Sequence, residues 1–314
     1  MVLSGLAVLM VSLGLFFYFA KTSDKNILSP LPSSLSILQN KQVSSLDLFI
    51  PSLNIIENFI KGNRPPQISA KSAIVYDLTT EKVLYQKNPK ERLPIASLTK
   101  VMTAIVALQN KKQDDTYFVK KSDLVGEDSM GLTPGESLTL EDLLYGLILH
   151  SGNDAAEVLA SNYRGGRLEF ISAMNQKAAS YGLKDTSFTN PTGLEGDGSQ
   201  YSTAYDLLVI SKHALEYDSL KKVFKTFDYN IGYSPSHKAF FMENETNLLA
   251  SYPGVKGIKT GYTPEAGLCL ITYLDYHGHK IIGVILGSSN RRVEMKDLLD
   301  YSLKKEGISP PKHS

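Results

Sequence analysis

Ser97 and Lys100 stand three residues apart in the stretch Pro94-Ile95-Ala96-Ser97-Leu98-Thr99-Lys100. A serine hydroxyl is a poor nucleophile near neutral pH and needs a base beside it. A lysine amine can be that base where its surroundings keep it neutral. On its own the S-x-x-K spacing occurs by chance, and a plain surface helix accounts for it. Two further triplets follow in order, Ser151-Gly152-Asn153 and Lys259-Thr260-Gly261. They add a second hydroxyl, an amide and a second lysine. Another ammonium near Lys100 disfavours charging it, as does burial, so a neutral amine becomes available near pH 7. The ordered set S-x-x-K, S-G-N, K-T-G is a signature of serine acyl transfer.

These residues need elements to hold them. The run after Pro94 reads as a helix, with apolar residues returning at Ile95, Leu98, Met102, Ile105, Val106 and Leu108, and on a helix Ser97 and Lys100 share a face. Before it, Ile74–Asp77 and Val83–Gln86 are strand-like runs that suggest a hairpin. Thr139, with Asp142 three residues on, caps a helix that ends near His150, just before Ser151-Gly152-Asn153. Further helices are expected over Phe170–Tyr181 and Ser202–Leu215, with a loop from Asn190 to Gly198 between them. Lys259-Thr260-Gly261 opens a strand, Leu268–Leu274 and Lys280–Gly287 form a second hairpin, and a helix over Arg291–Ser302 closes the domain through Val293, Leu298, Leu299 and Tyr301. Strands at both ends and helices between them imply a mixed α+β fold. A sheet built from the two ends carries an inserted helical lobe, with the site in the cleft between.

The whole chain has 314 residues, 42% hydrophobic and 21% charged, enough for one or two sizeable cores. With 33 basic and 32 acidic residues the net charge is +1, so nothing points to a nucleic-acid partner. A single cysteine, Cys269, excludes an intrachain disulfide. The six histidines form no ligand motif, so neither a metal site nor a cofactor is expected. Residues 2–20 carry no charge, and as a helix they would rise roughly 28 Å, close to the apolar thickness of a bilayer. They read as a signal or anchor segment (residues 1–21). Tyr18 is large for the third position back from a cut after Ala20, and Lys21 and Lys25 lie on the side that charge bias would keep inside. An exported domain on an uncleaved anchor is the expectation. Residues 22–66 form a Ser/Pro-rich linker in which Leu53, Ile56 and Ile60 are spaced for a short amphipathic helix; the catalytic domain spans 67–304 and a polar tail 305–314.

The resemblance extends beyond the triplets. Residues 67 to 304 resemble the low-molecular-mass penicillin-binding proteins that are serine-type D-alanyl-D-alanine carboxypeptidases. It is carried by Ala96-Ser97-Leu98-Thr99-Lys100-Val101-Met102-Thr103, Leu149-His150-Ser151-Gly152-Asn153-Asp154-Ala155-Ala156, Phe188-Thr189-Asn190-Pro191-Thr192-Gly193-Leu194, Ser202-Thr203-Ala204-Tyr205-Asp206-Leu207 and Gly254-Val255-Lys256-Gly257-Ile258-Lys259-Thr260-Gly261-Tyr262-Thr263. The resemblance implies the penicillin-binding, β-lactamase-like serine transpeptidase fold, a five-stranded antiparallel sheet with flanking helices plus a helical lobe. It implies hydrolysis of the terminal D-Ala-D-Ala bond of peptidoglycan stem pentapeptides in the bacterial cell envelope, with β-lactam antibiotics as covalent inhibitors. Ser97 would be the nucleophile, Lys100 its base and Ser151 the proton relay to the leaving amine. Asn153 would position substrate and base, Lys259 would set the cleft's electrostatics and Thr260 would bind the substrate's terminal carboxylate. The Ser97 and Tyr262 N–H groups would form the oxyanion hole, and a side chain at Gly261 would crowd substrate along the strand edge.

Two departures stand out. Gln200 occupies a position where relatives commonly carry histidine, and altered loop packing rather than lost chemistry is expected there. The chain ends at Ser314 without the β-rich domain and terminal helix of many relatives, so membrane attachment is expected through residues 2–20. Three other readings compete. D,D-endopeptidase or transpeptidase activity uses the same acyl-enzyme. A β-lactamase needs a deacylating glutamate, for which Glu195 is the candidate in the Asn190 loop, though its setting does not resemble the usual one. A non-catalytic wall-binding scaffold would not need the nucleophile.

Overall fold

The computed structural model describes residues 64–195, 199–246 and 248–313; the expected anchor and the linker helix at Leu53, Ile56 and Ile60 lie outside them. Ser72–Asp77 (β1), buried along nearly its whole length, and Lys82–Lys87 (β2) pair antiparallel, as the sequence leads one to expect. A 3-10 turn, Ala96–Thr99, leads into α1 (Lys100–Gln109). The helical lobe follows, with a small ribbon of β3 (Tyr117–Phe118) and β4 (Ser137–Leu138), then α2 (Leu140–Leu149), α3 (Asn153–Ser161), α4 (Arg167–Ser180), α5 (Ala204–Ala214) and α6 (Asp218–Lys225). A second ribbon, β5 (Asp228–Ile231) with β6 (Phe240–Glu243), and the short α7 (Leu248–Ser251) return the chain to the sheet. There β7 (Val255–Thr263), β8 (Gly267–Tyr276) and β9 (His279–Ser288) precede α8 (Arg291–Lys305).

The five strands lie in the order β2-β1-β9-β8-β7, and every neighbouring pair is antiparallel. Sequence distance explains the arrangement: β8 and β9 join through a tight turn at His277 and Gly278, both at positive φ, while β1 reaches β9 across the whole inserted lobe. The fold is thus α+β, with an antiparallel sheet, flanking helices and a helical lobe, matching the expectation.

Apolar packing splits across the sheet. On one face Val75, Leu274, Ile281 and Ile285 pack with Met295, Leu298, Leu299 and Leu303 of α8. On the other, Ile74, Ile271, Ile282 and Val284 join the α1 and α2 core. Helix α1 is buried from Lys100 to Ala107, so it is the lobe's central helix rather than a surface one. A helix apolar on nearly all sides has no favourable solvent face, and that is why the lobe assembles around it.

Four local expectations need correction. Ser97 lies in a 3-10 turn and not in the α-helix proper; three residues per turn bring Ser97 and Lys100 into closer eclipse than an α-helix would. Lys259-Thr260-Gly261 sits within β7, not at its start. Val293 is half exposed, and Met295 and Leu303 fill its expected place in the core. Helices α3 and α6 extend the lobe beyond the elements anticipated, because α3 is short and rich in alanine, and α6 covers only eight residues.

Candidate active site

The turn that carries Ser97 is built by backbone as much as by side chains. Ala96 has φ 47, a left-handed conformation that costs a non-glycine residue about 1–2 kcal/mol. It is braced from two sides. A Cβ on Gly193 would lie 2.0 Å from the Ala96 carbonyl oxygen, and one on Gly261 would lie 3.1 Å from the Ser97 nitrogen and 3.2 Å from Ile95 O. Only glycine fits at 193, where the loop meets the turn, and at 261 a side chain would crowd the turn by a few tenths of an ångström. At Gly261 the constraint therefore comes from the nucleophile turn behind the strand as well as from any substrate in front.

Lys100 is fully buried, and its Nζ donates to three oxygens at 2.7 Å each: Ser97 Oγ, Asn153 Oδ1 and the Thr192 carbonyl. As an ammonium Lys100 has an acceptor for each of its three N–H bonds; as a neutral amine it keeps two N–H bonds for Asn153 Oδ1 and Thr192 O, and its lone pair is left for the Ser97 hydroxyl. Burial first, and the Lys259 charge second, hold the Lys100 pKa well below its ordinary 10.5, against the opposing pull of Asp128, Glu245 and Asp154. A neutral amine at this distance can take the Ser97 proton.

Asn153 heads α3, and its backbone N–H donates to Asp128 O at 2.7 Å, tying the helix to the cleft's opposite loop. Ser151, nearly buried and at φ 59, occupies the bend between α2 and α3, two residues before Asn153. Helix α2 carries the full capping box expected of Thr139 and Asp142 and ends at His150. The bend is thus held from both sides.

Lys259 is fully buried on β7, and its Nζ has no hydrogen-bond partner among the described residues. Burial and then Arg291 lower its pKa to about 8, with Glu245 and Asp128 pulling the other way. Next to it, Thr260 Oγ1 donates to Glu245 Oε2 at 3.3 Å. Arg291 reaches across β7, donating from Nη1 to Gly261 O at 2.6 Å and Cys269 O at 3.3 Å. Ser97, Asn153, Tyr262 and Thr263 open onto a cavity of about 750 Å³ whose other walls are Gly126–Asp128 and Gly193–Glu195. Direct hydrogen bonds join Ser97, Lys100 and Asn153. Ser151 is linked to them through the chain, and Lys259 and Thr260 face them from the strand.

Three further residues hold the site, and sequence reasoning left them out of it. Asp154 is buried and accepts from Ser129 Oγ at 2.5 Å and from the N–H groups of Met130, Gly131 and Leu132 at 3.0 to 3.1 Å, fixing the loop that carries Asp128. Asn190 Oδ1 accepts from the N–H groups of Thr192 and Gly193 and so shapes the turn whose carbonyl meets Lys100. Gln200 ties this turn down: its Oε1 accepts from the Thr189 and Asn190 N–H groups at 2.9 Å each, and its Nε2 donates to Thr99 Oγ1 at 3.2 Å. The position treated as a packing departure is thus a brace between the nucleophile turn and the Asn190 loop. Glu195 is exposed, with its carboxylate accepting from the Glu265 N–H at 2.8 Å.

Among the described residues, Asp77, His279 and Glu306 form the one group whose ligand atoms lie within 4.8 Å of one another. Asp77 there already accepts from Thr79 N and Thr80 Oγ1, and the trio belongs to the sheet and the residue that ends α8, outside the cleft walls. No described helix is long and apolar enough to cross a membrane.

Residues 60–290 match the profile of the S11 peptidases, described as D-alanyl-D-alanine carboxypeptidase. The chain is 36% identical over 260 residues to the D-alanyl-D-alanine carboxypeptidase DacF of Bacillus subtilis, covering 79% of this chain and 66% of the relative. It is 30% identical over 273 residues to a D-alanyl-D-alanine endopeptidase of Pseudomonas aeruginosa, covering 83% of this chain and 86% of the relative. The crystal structure of the Streptomyces K15 DD-transpeptidase superposes with a TM-score of 0.72 at 32% identity, over 77% of this chain and 99% of that one. The chain thus spans slightly under two thirds of the Bacillus relative and nearly all of the Streptomyces structure.

Proposed function

We propose that this chain, which belongs to the D-alanyl-D-alanine carboxypeptidase family of S11 peptidases, is a serine peptidase that forms an acyl-enzyme on the D-Ala-D-Ala end of peptidoglycan stem peptides. Ser97 Oγ attacks the penultimate D-Ala carbonyl while its proton passes to neutral Lys100. The oxyanion is held by the Ser97 and Tyr262 N–H groups, whose loss one at a time would cost about 3 kcal/mol in transition-state stabilisation. The C–N bond then breaks, and Ser151 relays the proton to the leaving amine. Asn153 positions Lys100 and the substrate backbone, Lys259 supplies positive potential, and Thr260 receives the group beyond the scissile bond. Water then releases the acyl group, or a second amine takes it. The 2.7 Å contact between fully buried Lys100 and Ser97 carries this reading, because it places a base of depressed pKa on the nucleophile.

With water as the acceptor and a terminal D-Ala as the leaving group, the enzyme is a carboxypeptidase. Endopeptidase or transpeptidase action on the same acyl-enzyme is favoured by the near-complete overlap with the Streptomyces DD-transpeptidase. Glu195 does not support a β-lactamase reading, since its carboxylate is engaged by the Glu265 N–H. The protein works in the cell envelope outside the cytoplasmic membrane, and residues 2–20 attach it if they are retained. β-Lactams acylate Ser97 as poorly released substrates.

Intact-protein mass after benzylpenicillin, beside release of D-alanine from a pentapeptide, tests this for wild type and Ser97→Ala. A lasting adduct and D-alanine release, both absent from the variant, are expected. An adduct without release would move the assignment to cross-link cleavage or transpeptidation. Neither adduct nor release in folded protein would defeat it.

A further inference from the structure

The cavity that opens on Ser97 runs past Tyr262 to Pro264, whereas Lys259 and Thr260, assigned above to the leaving-group end, are not among its walls. It is therefore the acyl side of the cleft, which takes the part of the substrate that precedes the scissile bond. Glu127 and Asp128 stand in one wall and Glu195 in another, and no described residue lining the cavity is basic. Hydrogen bonds from the Thr263 side chain and the Glu265 N–H hold the Glu195 carboxylate in place and lower its pKa. Glu127 and Asp128 are different. Both are exposed, and among the described residues neither carboxylate has a hydrogen bond or ion pair. Only their backbone carbonyls are used, accepting from Asn153 Nδ2 at 3.4 Å and from the Asn153 N–H at 2.7 Å. Their backbone is thus fixed to the head of α3 while their charges are left free.

Three carboxylates with no cation among them focus a negative potential in a concave cleft. Elsewhere such a patch would be ordinary solvated surface. This one borders Ser97, so the substrate itself enters its field. The rest of the cavity is partly apolar, with Tyr262 59% exposed and Leu194 half-buried. A side chain with an aliphatic stem and a terminal ammonium suits both parts, its methylenes against Tyr262 and Leu194 and its charge toward Glu127 and Asp128. A side chain ending in a carboxylate meets repulsion, and an acylated amine offers the carboxylates no charge.

We propose that Glu127 and Asp128 are specificity-determining residues: they make the acyl side of the cleft favour peptides with a free side-chain ammonium ahead of the D-Ala-D-Ala end over peptides in which that amine is acylated. A cross-link made through the amine removes the charge, so the enzyme acts on a stem before its amine is used rather than after. This rests on the reading that Ser97 takes stem peptides as acyl donors, and it leaves the acyl-enzyme chemistry untouched.

The test compares Nα-acetyl-L-lysyl-D-Ala-D-Ala with its Nε-acetylated counterpart. kcat/KM is measured from peptide consumption for wild type, Glu127→Gln, Asp128→Asn and the double variant. In wild type the free amine should be favoured about tenfold at low salt, and each substitution should cut that preference about threefold, the size of one exposed ion pair. The preference should also shrink at about 0.5 M salt, where exposed charges are screened. Asp128 also acts on Lys100, so the ratio between the peptides is read and not the rate. Both side chains are exposed, so the variants should fold. Equal kcat/KM for the two peptides in wild type, or an unchanged preference in the double variant, overturns the proposal while Ser97 is still acylated by benzylpenicillin. So does failure to consume either peptide. Loss of the penicillin adduct in wild type would instead remove the reading on which the proposal rests.

Discussion

The two ends of the cleft treat a buried lysine in opposite ways. Behind Ser97, Lys100 has three oxygens within 2.7 Å of its nitrogen, supplied by a side chain on its own turn, one on α3 and a carbonyl from the Asn190 loop. On β7, equally buried Lys259 has no hydrogen-bond partner among the described residues. The first arrangement orders a side chain so that a proton can leave it and return along a fixed line. The second leaves a desolvated charge for whatever enters the cleft to satisfy. A satisfied buried amine stabilises the fold around it, whereas an unsatisfied one weakens the fold and strengthens binding.

The sharpest break would come at Lys100, the proposed base. Lys100→Arg keeps the charge and the donors, but a guanidinium cannot be neutral in a protein. Acylation by benzylpenicillin should fall at least a thousandfold, followed by intact mass over time. Acylation within tenfold of wild type would remove Lys100 as base.

Stability separates the two lysines further. Lys259→Met should stabilise the domain by about 1–3 kcal/mol at pH 7 in urea unfolding, while activity drops about a hundredfold. Lys100→Met should destabilise it by about 1–3 kcal/mol, because Asn153 Oδ1 and the Thr192 carbonyl lose their donor. Shifts of the same sign would erase the contrast. The pH dependence follows from the same cause. Lys259 has a folded pKa near 8 against 10.5 for a free lysine, so between those values the unfolded chain binds more protons, and stability from this group rises with pH across that window. Lys259→Met should lack that part of the rise.

A smaller effect is expected at the brace. Gln200→Ala frees the Thr189 and Asn190 N–H groups and loosens the turn that presents Thr192 O to Lys100. A loss of about 1–2 kcal/mol in stability and up to tenfold in acylation is expected. Gln200→His, which keeps an acceptor and a donor, should recover most of the acylation rate. Recovery of stability without recovery of rate would confine Gln200 to loop packing.

These differences also mark what could be read from the chain before its structure. The three triplets, the capping box at Thr139 and the strand-forming runs of β1, β2, β8 and β9 are local patterns; the capping box and the runs lie where the pattern puts them, while Ser97 falls in a 3-10 turn and Lys259-Thr260-Gly261 inside β7. The bonds that complete the site are not local. Gln200 meets Thr99 across 101 positions, and Lys100 meets Thr192 across 92. Glutamine, aspartate and glutamate at Gln200, Asp154 and Glu245 look like ordinary loop or helix residues until the fold brings their partners to them. Asp154 lay within the quoted motif and carried no separate signal, since its acceptors' work is done on backbone N–H groups that have no side-chain signature. The 3-10 turn at Ser97 was hidden for another reason. Its apolar spacing suits either helix, and the close approach of Gly193 and Gly261 to the turn comes from distant parts of the chain.

The central claim is that Lys100 is neutral in the free enzyme because burial and Lys259 lower its pKa. The rate constant for acylation of Ser97 by benzylpenicillin, measured from pH 5 to 10.5, tests it most directly. The account predicts a rate that rises with unit slope on the acid side and levels off well below lysine's ordinary 10.5. A rate that keeps climbing until about pH 10 would mean that Lys100 holds its proton like a solvated lysine, and would contradict the account.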